Sequence, residues 1–344
     1  AYRGCHGGAL MLCLESPYTA HGLLRNAHVQ SVLSSSAWRK QAGLKRLTAL
    51  GVTAQPRILS LPDGTRLSGL YYAAPAALDR NAMTLLLHGW EGSTESSYIN
   101  HSAAELLAEG IDVFALNFRD HGQSHELNEG LFHSCRLQEV VDATKQVHQA
   151  SRPAHFFVAG YSLGGNFALR LALSAAAQDL PIDAAFSICP PVNPSAVLKI
   201  LETGPAFYHW YFMKKWRGSL RRKRELFPHV HVFGDDILQR DMRGLTQWLV
   251  EQHTDWDNEE DYFSGYSVAG QALSGLCVPT CILAAEDDPV IPIASLKSLV
   301  ASDSVQLETS AHGGHCGFIE NWRLRGFAER WLKNGVVRAL NAIQ

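Results

Sequence analysis

Nine residues near the middle of the chain, Val158-Ala159-Gly160-Tyr161-Ser162-Leu163-Gly164-Gly165-Asn166, leave the backbone few paths. A short apolar run over 155–159 precedes the serine, and an amphipathic stretch over 167–172 follows it. This order reads as a strand, a sharp turn carrying Ser162, and a helix. Side chains beside so sharp a turn would clash. Gly160 and Gly164 remove them, and Gly165 lets the helix pack close to the sheet. Glycine and serine are common residues, so G-x-S-x-G alone is weak and an ordinary glycine-rich turn would also satisfy it. The strand before and the helix after favour a serine raised for nucleophilic chemistry.

The rest of the chain repeats the strand–helix alternation. Residues 57–61, the turn Pro62-Asp63-Gly64 and residues 65–72 read as a hairpin. Apolar runs at 83–87, 112–117, 183–189 and 279–285 read as buried strands, and 305–307 as a further short one. Helices are expected over 98–109, stopped by Gly110, and over 137–150. Strands alternating with helices predict an α/β fold with a mostly parallel central sheet covered by helices on both faces. The loops after those strands then gather along one sheet edge. Residues 190–276 break the rhythm after Pro190-Pro191 and are rich in aromatics such as Phe207, Trp210, Trp216 and Tyr266. An insertion there would form a helical cap above the strand ends, although aromatics at helical spacing also serve as ordinary core. The expected organisation is a leader and lead-in segment over 1–50, a core over 51–189 and 277–344, and a cap or lid over 190–276.

Composition excludes several classes. With 344 residues, 46% hydrophobic and 18% charged, the chain is globular, and a formal charge of −3 argues against a nucleic-acid binder. No apolar run approaches the roughly 18 residues that span a bilayer. The patch over 9–14 only faintly resembles a signal sequence. Seven scattered cysteines make a poor disulfide framework, which favours a cytoplasmic location. Cys277 and Cys281 lack zinc-finger partners and suit the approach to a buried strand.

A serine hydroxyl is a weak nucleophile and needs a histidine base, itself oriented by a carboxylate. Of 16 histidines, His315 stands best, in a glycine-rich loop after the last strand that would let its side chain reach the serine. His312 is the competitor. Glu286, Asp287 and Asp288 follow the 279–285 strand. Asp288 is the first choice for the acid, with Asp287 in reserve as a residue that fastens the loop and Glu286 capping the strand end. An oxyanion needs two donors. The backbone N–H groups of Leu163, directly after the serine, and of Trp90, after His88-Gly89, are the candidates. Neither metal nor organic cofactor is required. The basic run Lys214-Lys215-Trp216-Arg217 and Arg221-Arg222-Lys223-Arg224 would suit an anionic lipid surface, and a solvated helix face is the simpler reading.

Several stretches together resemble a family. Asn26-Ala27-His28-Val29-Gln30-Ser31 is similar to an "N-x-H-x-Q-T" segment, His88-Gly89-Trp90-Glu91-Gly92-Ser93 to "H-G-x-x-G-S", and Asn117-Phe118-Arg119-Asp120-His121-Gly122 to "N-x-R-G-x-x-G". Phe132-His133-Ser134 resembles "Y-H-S", Cys277-Val278-Pro279-Thr280 resembles "I-x-V-P-T", and residues 312–318 resemble "H-G-G-H-x-G-F". Over about residues 20–335 the chain resembles the YheT-like (ABHD-type) branch of the α/β-hydrolases. Asp120 departs from the family's usual glycine and Ser31 from its threonine. The resemblance implies an α/β-hydrolase fold with a helical cap and a Ser162–His315–Asp288 triad. It also implies an esterase or lipase-like enzyme working through an acyl-enzyme, while the aromatic-rich cap suggests a small ester with an apolar acyl part, short to medium in length. A lipase or phospholipase, a thioester or amide hydrolase, and a ligand-binding module on a hydrolase scaffold are the alternatives.

Overall fold

The structure, a computed structural model, describes residues 18–343, so the leader and the 9–14 patch lie outside it. Helices α1 (Ala27–Ser34) and α2 (Ala37–Ala49) open the described chain. The hairpin β1 (Gln55–Ser60) and β2 (Arg66–Tyr72) follows, then β3 (Ala82–Leu87), α3 (Ser97–Leu107), β4 (Asp112–Leu116), α4 (Leu137–Ser151) and β5 (His155–Tyr161). After Ser162 come α5 (Leu163–Gln178) and β6 (Ala184–Ile188). The inserted helices are α6 (Pro194–Thr203), α7 (Ala206–Leu226), α8 (Asp235–Gln239), α9 (Met242–His253) and α10 (Glu259–Ser264). The chain closes with β7 (Thr280–Ala285), α11 (Ile293–Lys297), β8 (Val305–Ser310) and α12 (Phe327–Ile343).

The eight strands form one sheet in the order β1-β2-β4-β3-β5-β6-β7-β8. The β1–β2 and β2–β4 pairs are antiparallel and every other pair is parallel. Strands β3, β6 and β7 are buried at every position, which is why they read as continuous apolar runs rather than alternating ones. Helices α2, α3 and α12 pack as one layer, and α4 packs with α5 as another. Parallel pairing with right-handed crossovers puts Trp90, Ser162, Asp288 and His315 just past strand ends on the same sheet edge.

Two differences from the sequence reading have clear causes. Strand β8 runs on to Ser310, because pairing with β7 continues through Ala285↔Ser310 although residues 308–310 are all polar. Residues 27–49, read as a lead-in segment, form two helices docked on the core. The α2 helix shows no apolar stripe, since its buried face is Arg39, Gly43 and Leu47. Arg39 is fully buried and bonds Glu329 of α12 at 2.6 Å. What does mark both helices is their caps: Asn26 accepts from the His28 and Val29 N–H groups, and Ser36 from Arg39.

Candidate active site

Ser162 sits between β5 and α5 at φ 52° and ψ −121°, a conformation that side chains rarely adopt. The turn is that tight because β5 and α5 meet almost directly. A Cβ on Gly160 would lie 2.0 Å from the Gly164 carbonyl oxygen, and one on Gly164 would lie 2.2 Å from that of Leu87. The Ser162 N–H is anchored to the Ile188 carbonyl at 2.8 Å.

His315 Nε2 lies 3.0 Å from Ser162 Oγ, and its Nδ1 lies 2.9 Å from Asp288 Oδ2. In the neutral ring, with Nδ1–H donating to the carboxylate, Nε2 is left to accept the serine hydroxyl. Asp288 is held from its other side: Oδ1 accepts the N–H groups of Val290 (2.8 Å) and Ile291 (3.0 Å), and the side chain is 2% exposed. Burial opposes charge on His315. The Asp288 carboxylate outweighs it and, with Cys316 alongside, raises the imidazole from 6.5 to about 9.

The neighbouring candidates have other partners. Asp287 Oδ1 accepts the Gly314 N–H at 2.8 Å, and its Oδ2 lies 3.5 Å from His312 Nδ1, so this pair fastens the histidine loop. Glu286 does not cap the strand end. It pairs with Lys297 at 2.6 Å on the surface. The loop glycines do not give His315 freedom to swing. Gly314 has φ 55°, and a Cβ there would lie 2.3 Å from the Ala27 carbonyl oxygen, so the glycine admits α1 against the loop.

That contact reveals positioning residues the sequence reading did not assign. Ser31 Oγ accepts the His315 N–H at 2.8 Å while donating to Ala27. Gln30 is fully buried: its amide donates to the Leu24 and Ile319 carbonyls, and its Oε1 accepts the Ile319 N–H at 2.7 Å. The signal was the Gln30-Ser31 motif, whose role had no reading without the fold.

Trp90 lies in a turn closed by the Gly92 N–H on the Gly89 carbonyl at 2.9 Å. His88 shapes that turn from below. Burial lowers its pKa to about 4, so the ring is neutral, with Nδ1–H donating to the Gly89 carbonyl (2.7 Å) and Nε2 accepting the Phe118 N–H (3.3 Å). The N–H groups of Trp90 and Leu163 donate to no acceptor among the described residues, and both residues line a cavity together with Ser162.

That cavity, about 130 Å³, is roofed by the inserted helices through Leu198, Leu201, Phe212, Trp216, Met242 and Leu249. A second, wider cleft of about 800 Å³ also reaches Ser162 and is flanked by α1, α2 and α7. Trp90 and Phe212, stacked at 5.4 Å, stand between the two. Asp120, at φ 60°, occupies a left-handed position that a glycine would take freely and an aspartate tolerates. It uses the position to bond the Phe132 N–H (2.8 Å) and to pair with Lys223 of α7 at 3.0 Å, both side chains buried. Among the described residues, no three His, Cys, Asp or Glu side chains gather to hold a metal ion, and no helix is long and apolar enough to cross a membrane.

A sharp serine turn past the strand ends of a largely parallel sheet, with an acid and a histidine on later loops, is the arrangement of the α/β-hydrolase fold, and the alpha/beta hydrolase fold family matches residues 85–227. Esterases from Rhizomucor miehei superpose with a TM-score of 0.58 at 17% identity, over 94% of this chain and 98% of theirs. Relatives in sequence include YheT and an ABHD protein. YheT of Escherichia coli, whose name provisionally assigns it to the esterases, is 27% identical over 81% of this chain and 82% of its own. Phospholipase ABHD3 of Mus musculus is 24% identical over 69% of this chain and 58% of its own.

Proposed function

We propose that this chain is a serine hydrolase of carboxylic esters. The observation that carries the reading is the unbroken relay from Ser162 Oγ through His315 to an Asp288 carboxylate held by two backbone N–H groups. The esterase names of YheT and of the Rhizomucor miehei proteins point the same way. His315 takes the proton of Ser162 as the oxygen attacks the ester carbonyl, and Asp288 stabilises the imidazolium. The N–H groups of Leu163 and Trp90 receive the negative charge on the carbonyl oxygen. His315 then protonates the departing alcohol, and a water molecule, activated by the same imidazole, releases the acid.

The largely apolar cavity suits the acyl part and favours short to medium chains. A panel of soluble aryl esters from acetate to dodecanoate, with matched thioesters and amides, tests the reading. The expected result is that short and medium esters turn over fastest and that Ser162→Ala lowers the rate roughly a million-fold. Wild-type rates no higher than those of the Ser162→Ala protein would refute it.

A further inference from the structure

The chain as a whole carries a formal charge of −3, yet the two elements that flank the outer cleft are strongly cationic. Helices α1 and α2 hold four Lys and Arg residues and no Asp or Glu, and α7 holds seven Lys and Arg residues and a single Glu. Some of these cations serve the fold, since Arg39, Lys40, Arg46, Lys223 and Arg224 have carboxylate partners. Lys45, Lys214, Arg221 and Arg222 have none among the described residues and are exposed.

Large apolar groups are exposed on the same two lips. Val32 on α1 (48% exposed) and Phe207 on α7 (50%) both line the cleft. Trp210, 54% exposed, continues from Phe207 along α7, with Lys214 Nζ 5.0 Å above its ring. Trp210, Lys214 and Arg221 fall on one stripe of that helix, turned away from the cavity. Exposed tryptophan among unpaired lysine and arginine is the pattern of a helix lying in a lipid interface.

We infer that the mouth of the Ser162 cleft docks on an anionic lipid bilayer, with α7 and the α1–α2 pair as its two lips, and that the substrate is an amphiphilic ester drawn from that surface. The bilayer follows from charge complementarity: an anionic sheet meets both lips at once, and the cleft between them runs inward to Ser162. The substrate part rests on the ester-hydrolase reading; the docking part does not.

The experiment separates the two. Ser162→Ala protein, which needs no catalysis to bind, is sedimented with vesicles of pure phosphatidylcholine or of phosphatidylcholine with phosphatidylglycerol. In parallel, a Trp210→Ser/Lys214→Glu/Arg221→Glu variant, altered only outside the cleft lining, is assayed on a soluble short-chain ester and on a diacyl lipid in the same vesicles. The expected result is at least tenfold stronger sedimentation with anionic vesicles, weakened by salt and abolished by the triple substitution on the Ser162→Ala background. The variant keeps its soluble-ester rate and loses at least tenfold on vesicle lipid. Equal sedimentation with both vesicles, or binding indifferent to the triple substitution, overturns the inference even if the soluble ester is cleaved. Concentration-dependent self-association abolished by the same substitution, without vesicle binding, assigns the surface to a second copy of the chain and overturns it too. A soluble ester left uncleaved by the otherwise unaltered protein refutes the hydrolase reading instead.

Discussion

The Asp288 carboxylate outweighs burial in setting the protonation of His315. Asp288 raises His315 from 6.5 toward 9, so in the resting protein the ring carries its proton up to that range and becomes a base only as pH rises through it. The kcat/KM profile should therefore climb from pH 7 toward 9. Asp288→Asn removes the raising charge and leaves the burial that disfavours imidazolium. Its acid limb should shift down by a unit or more while the maximal rate falls steeply, on the order of ten-thousand-fold. An unchanged limb in the variant would dissociate Asp288 from His315. The sequence made Ser162, His315 and Asp288 legible through their places after strand ends, and the structure puts His315 within hydrogen-bond distance of both Ser162 and Asp288. It could not give the job of Gln30, because the backbone groups it satisfies belong to Leu24 and Ile319, the latter 289 positions along the chain. Gln30→Ala leaves the buried Ile319 N–H without its acceptor and should cost about 1–3 kcal/mol in denaturant unfolding. A smaller loss would mean that the loop is held elsewhere.

Among elements, the clearest gap between pattern and fold is α2. Periodicity locates a helix by its apolar stripe. The deepest side chain of α2 is an arginine whose guanidinium meets Glu329 and the Leu324 carbonyl inside the protein. Removing one partner strands the other charge, so Glu329→Ala should destabilise the fold by about 3–5 kcal/mol, whereas replacing both by apolar residues should cost much less. A double-mutant cycle by chemical denaturation checks both figures. The α3, α4 and β1–β2 elements were legible because their own residues carry turn and burial signals. The lengthening of β8 was not, since hydrogen bonds to a neighbour drive it and the added residues 308–310 are polar.

At the scale of the whole molecule, the inserted helices are fastened to the core at a definite point. Lys223 reaches from α7 to Asp120 and to the carbonyls of Asn128, Gly130 and His125, and Asp120 in turn holds the N–H of Phe132, which lines the inner cavity. Cutting this pin with Lys223→Met leaves Asp120 buried and unpaired. It should speed proteolysis within 190–276 and raise KM for longer acyl esters more than it lowers kcat; equal protease resistance would show that packing alone holds the cap. The departure at Asp120, visible in the sequence only as an odd residue in a loop motif, thus joins core, cap and cavity. The central claim, that Ser162 is an activated nucleophile, is met most directly by intact-protein mass after exposure to a fluorophosphonate, for wild type and Ser162→Ala side by side. A single adduct on wild type that is absent from the variant is the predicted result. No adduct on wild type, or an equal adduct on both, would contradict it.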